Sequence, residues 1–237
     1  MTQKCAYFVT GTDTGVGKTL MSSALLYAMA QCNIRVAGMK PVSAGAIFRD
    51  GDWHNDDTDC LTAASNVRIP AELVTPYLVR EAAAPHIAAA LEGVKIDSLH
   101  LQACYTALTG LADAFVVEGV GGFRVPLADQ FDTADLARQL QLPVIMVVGM
   151  RLGCLNHALL TAEAIAARGL TLAGWIANSV DIGMQHLPAN IDALATRLHA
   201  PLLGYVPQLA QPTADLVAAH LDFTCLPGWP GAPADLP

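Results

Sequence analysis

Thr10-Gly11-Thr12-Asp13-Thr14-Gly15-Val16-Gly17-Lys18-Thr19 joins an apolar run, Cys5-Ala6-Tyr7-Phe8-Val9, to a segment with Leu20, Met21, Ala24, Leu25, Ala28 and Met29 at helical spacing. Strand, glycine-rich turn and helix in that order are the context a phosphate-binding loop requires. The glycines let backbone N–H groups turn inward around phosphate oxygens, and the N-terminus of the following helix adds its partial positive charge. Lys18 is placed to reach the β- and γ-phosphates of a nucleotide, and the Thr19 hydroxyl to ligate Mg²⁺. The general pattern has a glycine five residues before Gly17. Thr12 stands there instead, and the glycine comes one residue earlier, at Gly11.

Outward from this loop, short apolar runs alternate with helical patterns. Ile34 to Met39, Ala114-Phe115-Val116-Val117, Val144 to Val148, Leu172 to Ala177 and Leu202 to Val206 read as buried strands. Leu155, Leu159, Leu160 and Ile165 mark one helix between them, and Ile191, Leu194, Ala195 and Leu198 another. Strands apolar on both faces and separated by helices imply a mostly parallel, doubly wound α/β sheet flanked by helices. Ligands in such sheets bind at the carboxyl ends of the strands. Gly45 to Asp59 breaks the alternation with a polar, aspartate-rich stretch. Pro227-Gly228-Trp229-Pro230-Gly231-Ala232-Pro233 has a composition that forms neither helix nor sheet, so a single domain over residues 1–226 and a Pro/Gly-rich tail over 227–237 are expected.

The composition excludes several classes. Of 237 residues, 53% are hydrophobic and 14% charged, enough for a large core. A formal net charge of −8 argues against nucleic-acid binding, which needs a positive face to displace counterions. No run approaches the roughly 20 apolar residues that cross a bilayer, so no membrane partner is expected. Met1-Thr2-Gln3-Lys4 lacks the layout of a signal peptide, and a cytoplasmic location is the expectation. The six cysteines are scattered, without zinc spacing, and read as thiols in a reducing compartment.

A phosphoryl-transfer site also needs cations around the moving phosphate and acids to hold the metal. Lys40 ends a strand in Gly38-Met39-Lys40-Pro41-Val42, where it faces the ligand crevice. Lysines are scarce, at positions 4, 18, 40 and 95. At 4 Å and an effective dielectric of about 20, one such charge contributes roughly 4 kcal/mol against a phosphate charge. Lys18 and Lys40 are the catalytic candidates. Glu118 ends the run Ala114–Val117 and precedes Gly119-Val120-Gly121-Gly122, a position suited to a metal or its water. Most acids of the aspartate-rich loop read as solvated, with Asp57 the candidate to complete the Mg²⁺ shell beside Thr19 and Glu118.

These segments, in this order, resemble the dethiobiotin synthetases, ATP-dependent enzymes of the P-loop NTPase type. The resemblance covers about residues 5 to 210. It rests on Gly11 to Thr19, Lys40-Pro41-Val42, Asn55-Asp56-Asp57, Pro85-His86-Ile87, Val117 to Gly122, Leu152-Gly153-Cys154-Leu155-Asn156-His157 and Gly174-Trp175-Ile176-Ala177-Asn178. It implies a reaction of 7,8-diaminononanoate, CO₂ (or bicarbonate) and ATP with Mg²⁺: an amine captures CO₂ as a carbamate, ATP converts that to a carbamic–phosphoric anhydride, and the second amine closes the ureido ring. It implies that Gly15, Val16, Gly17, Lys18, Thr19 and Leu20 cradle the phosphates. It further implies that Asp57, Glu118, Gly119, Val120 and Gly121 complete the nucleotide and metal site, and that Asn178 reads the adenine edge with Pro207, Gln208 and Leu209 flanking the base. For the substrate, it implies contacts from Thr14, from Ser43 or Ala44, and from Gly153, Cys154, Leu155 and Asn156. In the family that last helix start captures the substrate carboxylate across the interface of a homodimer.

There are departures. Gly15 stands where the family often has glutamate, removing one side-chain contact. Ser43-Ala44-Gly45 stands where the family often has Ala-Ser-Gly, so the substrate serine is absent or moved to Ser43. Gln208 replaces a residue that is aromatic in some relatives. The alternative class is a partitioning or switch ATPase acting by ATP-driven dimerisation. Its loops carry a signature lysine in the slot held here by Asp13, and the tail here has no lysine or arginine. A cobyrinate-type amidoligase would need a fused glutaminase domain, for which 237 residues leave no room.

Overall fold

The computed structural model describes residues 5–230. In chain order its strands are β1 (Cys5–Gly11), β2 (Val36–Met39), β3 (Val42–Ala44), β4 (Ile47–Arg49), β5 (Asp52–His54), β6 (Tyr77–Val79), β7 (Ala114–Glu118), β8 (Pro126–Ala128), β9 (Phe131–Asp132), β10 (Val144–Met150), β11 (Leu172–Ser179) and β12 (Leu202–Val206). Its helices are α1 (Lys18–Ala30), α2 (Asp56–Ala64), α3 (Ala71–Val74), α4 (Pro85–Leu91), α5 (Ser98–Leu108), α6 (Thr133–Leu140), α7 (Cys154–Ala167), α8 (Leu187–Ala195) and α9 (Ala214–Ala218). The six strands expected from the apolar runs form one sheet in the order β12-β11-β10-β1-β7-β2. Every pairing within it is parallel.

The sheet is covered on both faces, which is why its strands read as continuous apolar runs. Successive residues of β1 enter opposite cores: Tyr7 and Val9 pack with α1 residues Met21, Leu25 and Met29, whereas Ala6 and Phe8 pack with Leu101 and Leu108 of α5 and Leu136 of α6. A third cluster joins Met146, Val148 and Trp175 to Cys154 and Ala158 of α7 and Leu194 of α8. The polar stretch expected over Gly45 to Asp59 folds as the β4–β5 hairpin followed by the first turn of α2. Arg49 pairs there with Asp56 and Asp59, two of the acids read as solvated.

Packing continues past the domain boundary expected at residue 226. The Tyr7 hydroxyl donates to the Pro227 carbonyl at 2.9 Å, and the buried Trp229 stacks on Phe223 with centroids 5.4 Å apart. Residues 231–237 of the expected tail lie outside the described residues.

Parallel register sets the site. Val9 lies opposite Glu118, and Met39 lies opposite Val117, so Lys40 emerges beside Glu118 at the carboxyl edge of the sheet. The turn after Glu118 is braced from below. Thr133 accepts the Val125 N–H at 3.0 Å and donates to the Phe123 carbonyl at 2.6 Å. Asp132 caps α6 in a reciprocal capping box with Asp135 and receives Arg124 at 2.5 Å. Burial opposes ionisation of Asp132, but the Asp135 backbone N–H and the Arg124 and Arg168 guanidiniums outweigh it and hold its pKa below the usual carboxylate range. A depressed folded pKa contributes stability that is present at neutral pH and lost as pH falls through that pKa. Asp132→Asn keeps a competent N-cap and removes the charge. It should cost about 1–2 kcal/mol in urea melts at pH 7, and the two proteins should converge under acid conditions; a constant difference at all pH values would mean that the charge contributes nothing.

Candidate active site

α1 begins without a side-chain cap and with no acid in its first turn, so its free N–H groups face the loop undiluted. Gly17 caps it at φ 92°, a left-handed conformation that favours glycine. A Cβ on Gly17 would also lie 2.4 Å from Asn178 Nδ2. Asn178 occupies that space because its amide donates to the Val16 carbonyl at 2.8 Å, holding the loop against the end of β11. The displaced glycine of the motif has a packing cause: a Cβ on Gly11 would come within 2.6 Å of Val16 Cγ2. Thr12, in the usual glycine slot, donates its N–H to Val147 O at 3.0 Å.

Lys18 is buried and its ammonium donates to the Asp13 carbonyl at 3.2 Å. Burial, with repulsion from Lys40 adding to it, lowers its pKa to about 8. Incoming phosphate charge favours its protonated form. Thr19 Oγ1 lies 2.7 Å from Asp57 Oδ1 and 2.9 Å from Glu118 Oε1, its single proton shared between them. Asp57 is held there by Asn55, which accepts the Asp57 N–H at 3.0 Å and donates to the Ala44 carbonyl at 3.1 Å. That bond ties the start of α2 to β3.

Lys40 joins the two carboxylates. Its ammonium lies 2.5 Å from Glu118 Oε1, 2.8 Å from Asp57 Oδ2 and 3.3 Å from the Gly119 carbonyl. Burial opposes its charge, but Glu118 and Asp57 hold its pKa above the ordinary lysine value. Asp57 is shifted the opposite way: burial would raise it, and Lys40 with Thr19 keeps it below its usual range. The other Glu118 oxygen, Oε2, is buried without a hydrogen-bond partner. A buried carboxylate oxygen left open beside a threonine hydroxyl and a second carboxylate fits a hard cation. Among the described residues no group of three or more His, Cys, Asp or Glu could hold a metal ion. Thr19, Asp57 and Glu118 would be the residues to hold Mg²⁺, an all-oxygen donor set of the kind that ion takes.

These groups open into a cavity of about 1420 Å³. Single-ligand pockets run to roughly 1,000 Å³, so there is room for a nucleotide and a second small substrate. Thr14, Gly15, Gly17, Lys18, Thr19 and Leu20 line it from the phosphate loop, and Lys40, Ser43, Ala44, Asp57, Val120 and Gly121 from the neighbouring strand ends. Ser43 and Ala44 are both present at the wall, with Ser43 buried. Val16, Glu118, Gly119 and Asn178 are not part of the lining. Pro207, Gln208 and Leu209 are not part of the lining; Pro212, Thr213 and Ala214, just before and at the start of α9, are. Nor are Gly153, Cys154, Leu155 and Asn156. They begin α7, where Gly153 is the N-cap at φ 96° with no side-chain cap. Leu152 beside them is 96% exposed. The Arg151 guanidinium pairs with the Asp13 carboxylate, tying that turn to the phosphate loop.

The sequence reading missed several parts of the wall, Cys60, Ala63 and Ala64 of α2 among them. Ser23 and Tyr27 follow Leu20 at helical spacing along α1, Ser23 buried and Tyr27 exposed, a signal that was legible. Ala82, Ala83, Ala84 and Pro85 form a small-residue wall with no chemical signature.

Phosphate loop, paired lysines and flanking carboxylates at the carboxyl edge of a parallel sheet define a nucleotide-binding protein of the P-loop class. Consistent with this, the family model described as AAA domain matches residues 5–215. The ATP-dependent dethiobiotin synthetase BioD of Janthinobacterium sp. (strain Marseille) is 60% identical over 236 residues, covering 98% of this chain and 100% of that one. The protein of the same name from Aromatoleum aromaticum is 54% identical over 221 residues, covering 93% and 98%. The chain belongs to the dethiobiotin synthetase family. In fold it is similar to a ParA family ATPase from Chlorobium tepidum (TM-score 0.56, 14% identity, 88% of this chain and 86% of that one). It is also similar to the cell division protein FtsY of Thermotoga maritima (TM-score 0.52, 17% identity), whose chain it covers to 64%.

Proposed function

We propose that this protein carries out the ATP- and Mg²⁺-dependent carboxylation and ring closure of 7,8-diaminononanoate with CO₂, giving dethiobiotin, ADP and phosphate. The observation that carries this reading is the convergence of Lys18, Lys40, Thr19 and Asp57 on one cavity large enough for both substrates, with the buried Glu118 bound to Thr19 and Lys40. One diamine nitrogen adds to CO₂ and loses a proton to give a carbamate, a poor electrophile. Transfer of the γ-phosphoryl group to the carbamate oxygen gives the mixed anhydride and ADP. The second nitrogen then attacks the carbonyl carbon, and phosphate leaves as the five-membered urea closes. Lys18 reaches the β/γ-phosphates from the loop, and Lys40 sits between γ-phosphate and carbamate, where negative charge is spread as the group moves. Thr19, Asp57 and Glu118 would hold Mg²⁺, which would supply positive charge against the negative charge developing on the transferring phosphoryl group. In this reading Asn178, whose amide nitrogen is bound to the Val16 carbonyl, would meet the adenine edge with its remaining side-chain oxygen, with Pro207 to Leu209 or Pro212 to Ala214 flanking the base.

The active unit in this reading is a cytoplasmic homodimer. The start of α7 lies outside the cavity yet beside the phosphate loop, with an uncapped N-terminus suited to a carboxylate and an exposed leucine next to it. A second copy would bring its own helix start to the substrate. Among the described residues no helix is long and apolar enough to cross a membrane.

ADP release by the purified chain with ATP, Mg²⁺ and bicarbonate should rise strongly on adding 7,8-diaminononanoate, and the rise should require bicarbonate. A rate indifferent to the diamine would overturn the reading and bring forward a switch-type ATPase.

A further inference from the structure

In this structure an ammonium already lies where a divalent cation is called for. Lys40 Nζ contacts Glu118 Oε1 at 2.5 Å and Asp57 Oδ2 at 2.8 Å, the two carboxylates that flank Thr19 Oγ1. The Glu118 oxygen facing Thr19 is the same atom that faces Lys40. We propose that in the nucleotide-free protein the Lys40 ammonium is an internal counter-ion occupying the metal's place, and that Mg²⁺ enters by displacing it into the cavity. The inference rests on the reading of Thr19, Asp57 and Glu118 as the metal's residues.

Charge and space argue for exchange. Mg²⁺ needs oxygens at roughly 2.0–2.1 Å in near-octahedral order, and the Glu118 oxygen that meets Thr19, Oε1, is one that Lys40 holds, while Oε2 on the same carboxylate is open. Lys40 and Glu118 side chains are 2% and 0% exposed, so solvent does little to screen two cations held side by side. One must move, and the lysine is the one that can. Its backbone is fixed at the end of β2, where its N–H donates to Val74 O at 2.8 Å. Its side chain, however, borders the cavity shared with Lys18 and the phosphate loop. Displaced from the carboxylates, the ammonium moves toward the space of the transferring phosphoryl group. Metal loading and delivery of the catalytic lysine then become one event. The metal by itself meets a site that already holds a cation, whereas a metal arriving with nucleotide brings phosphate anions that receive the freed lysine.

The test uses Mn²⁺ as the probe, titrated into the full-length protein without nucleotide and read by electron paramagnetic resonance of the free ion. Lys40→Met should bind Mn²⁺ at least about tenfold more tightly than wild type, because the competing charge is gone. Equal or weaker binding by Lys40→Met overturns the proposal. Adding Glu118→Gln to Lys40→Met should abolish the gain. If the gain survives, the metal lies elsewhere, and the reading of Glu118 fails together with the proposal. If Glu118→Gln weakens Mn²⁺ binding while Lys40→Met leaves it unchanged, the counter-ion role alone fails.

Should Lys40→Met not fold, the wild type supplies the answer. Four lysines at positions 4, 18, 40 and 95 make ¹⁵N-lysine labelling assignable. The Lys40 ammonium resonance should shift when Mg²⁺ is added to protein saturated with a non-hydrolysable ATP analogue. An unmoved resonance overturns displacement.

Discussion

Lys18→Ala should lower turnover at least about hundredfold with the fold intact, the scale seen when one donor aimed at developing charge is removed. The expectation follows from where the ammonium sits. Lys18 is buried at the start of α1 and borders the cavity, held by one carbonyl contact to Asp13 rather than by a carboxylate. It has no strong partner to give up when phosphate arrives. Its lowered pKa, about 8, reflects burial first and Lys40 second; both penalties on the charged form shrink once phosphate oxygens surround it. Losing the lysine therefore costs more in the charged complex than in the empty protein. Steady-state ADP release, with circular dichroism as the control for folding, measures it. A wild-type rate would remove Lys18 from the phosphoryl-transfer machinery.

Glu118→Gln should raise the Mg²⁺ concentration needed for half-maximal rate by about 10- to 100-fold, the scale typical when a group orienting a bound metal is lost. Glu118 is fully buried, yet one of its oxygens has no partner. A carboxylate in that condition is costly unless a cation completes it. Glutamine preserves the shape and removes the charge, so the change should appear in the Mg²⁺ titration before it appears in stability. An unchanged titration curve would exclude Glu118 from the metal's shell. Because Lys40 keeps Asp57 at 2.8 Å, the variant retains a partner for the buried ammonium and should fold.

Legibility in the sequence followed the range of the interaction. The apolar runs placed the six sheet strands, and no end moved by more than two residues, as where β10 continues past Val148 to Met150. The small pairs β3–β6, β4–β5 and β8–β9 were not legible. Each strand is two or three residues long, too short for a period to show. Within the aspartate-rich stretch, composition marked a cluster of acids but could not sort them. Asp56 and Asp59 turn toward Arg49 on the hairpin, and Asp57 turns toward Lys40, because consecutive positions on a helix face different ways. Ala82 to Ala84 line the cavity through position alone, and no residue type announces that.

The sequence by itself determined the loop, its helix and the sheet that carries them, since glycine spacing and apolar periodicity act between neighbours in the chain. Only the tertiary structure decided that Lys40, Asp57 and Glu118 share one ammonium. Lys40 and Glu118 are 78 residues apart, and they meet because Met39 pairs with Val117 in a parallel register. That register is chosen by packing on both faces of the sheet, a sum of contacts that no single segment encodes.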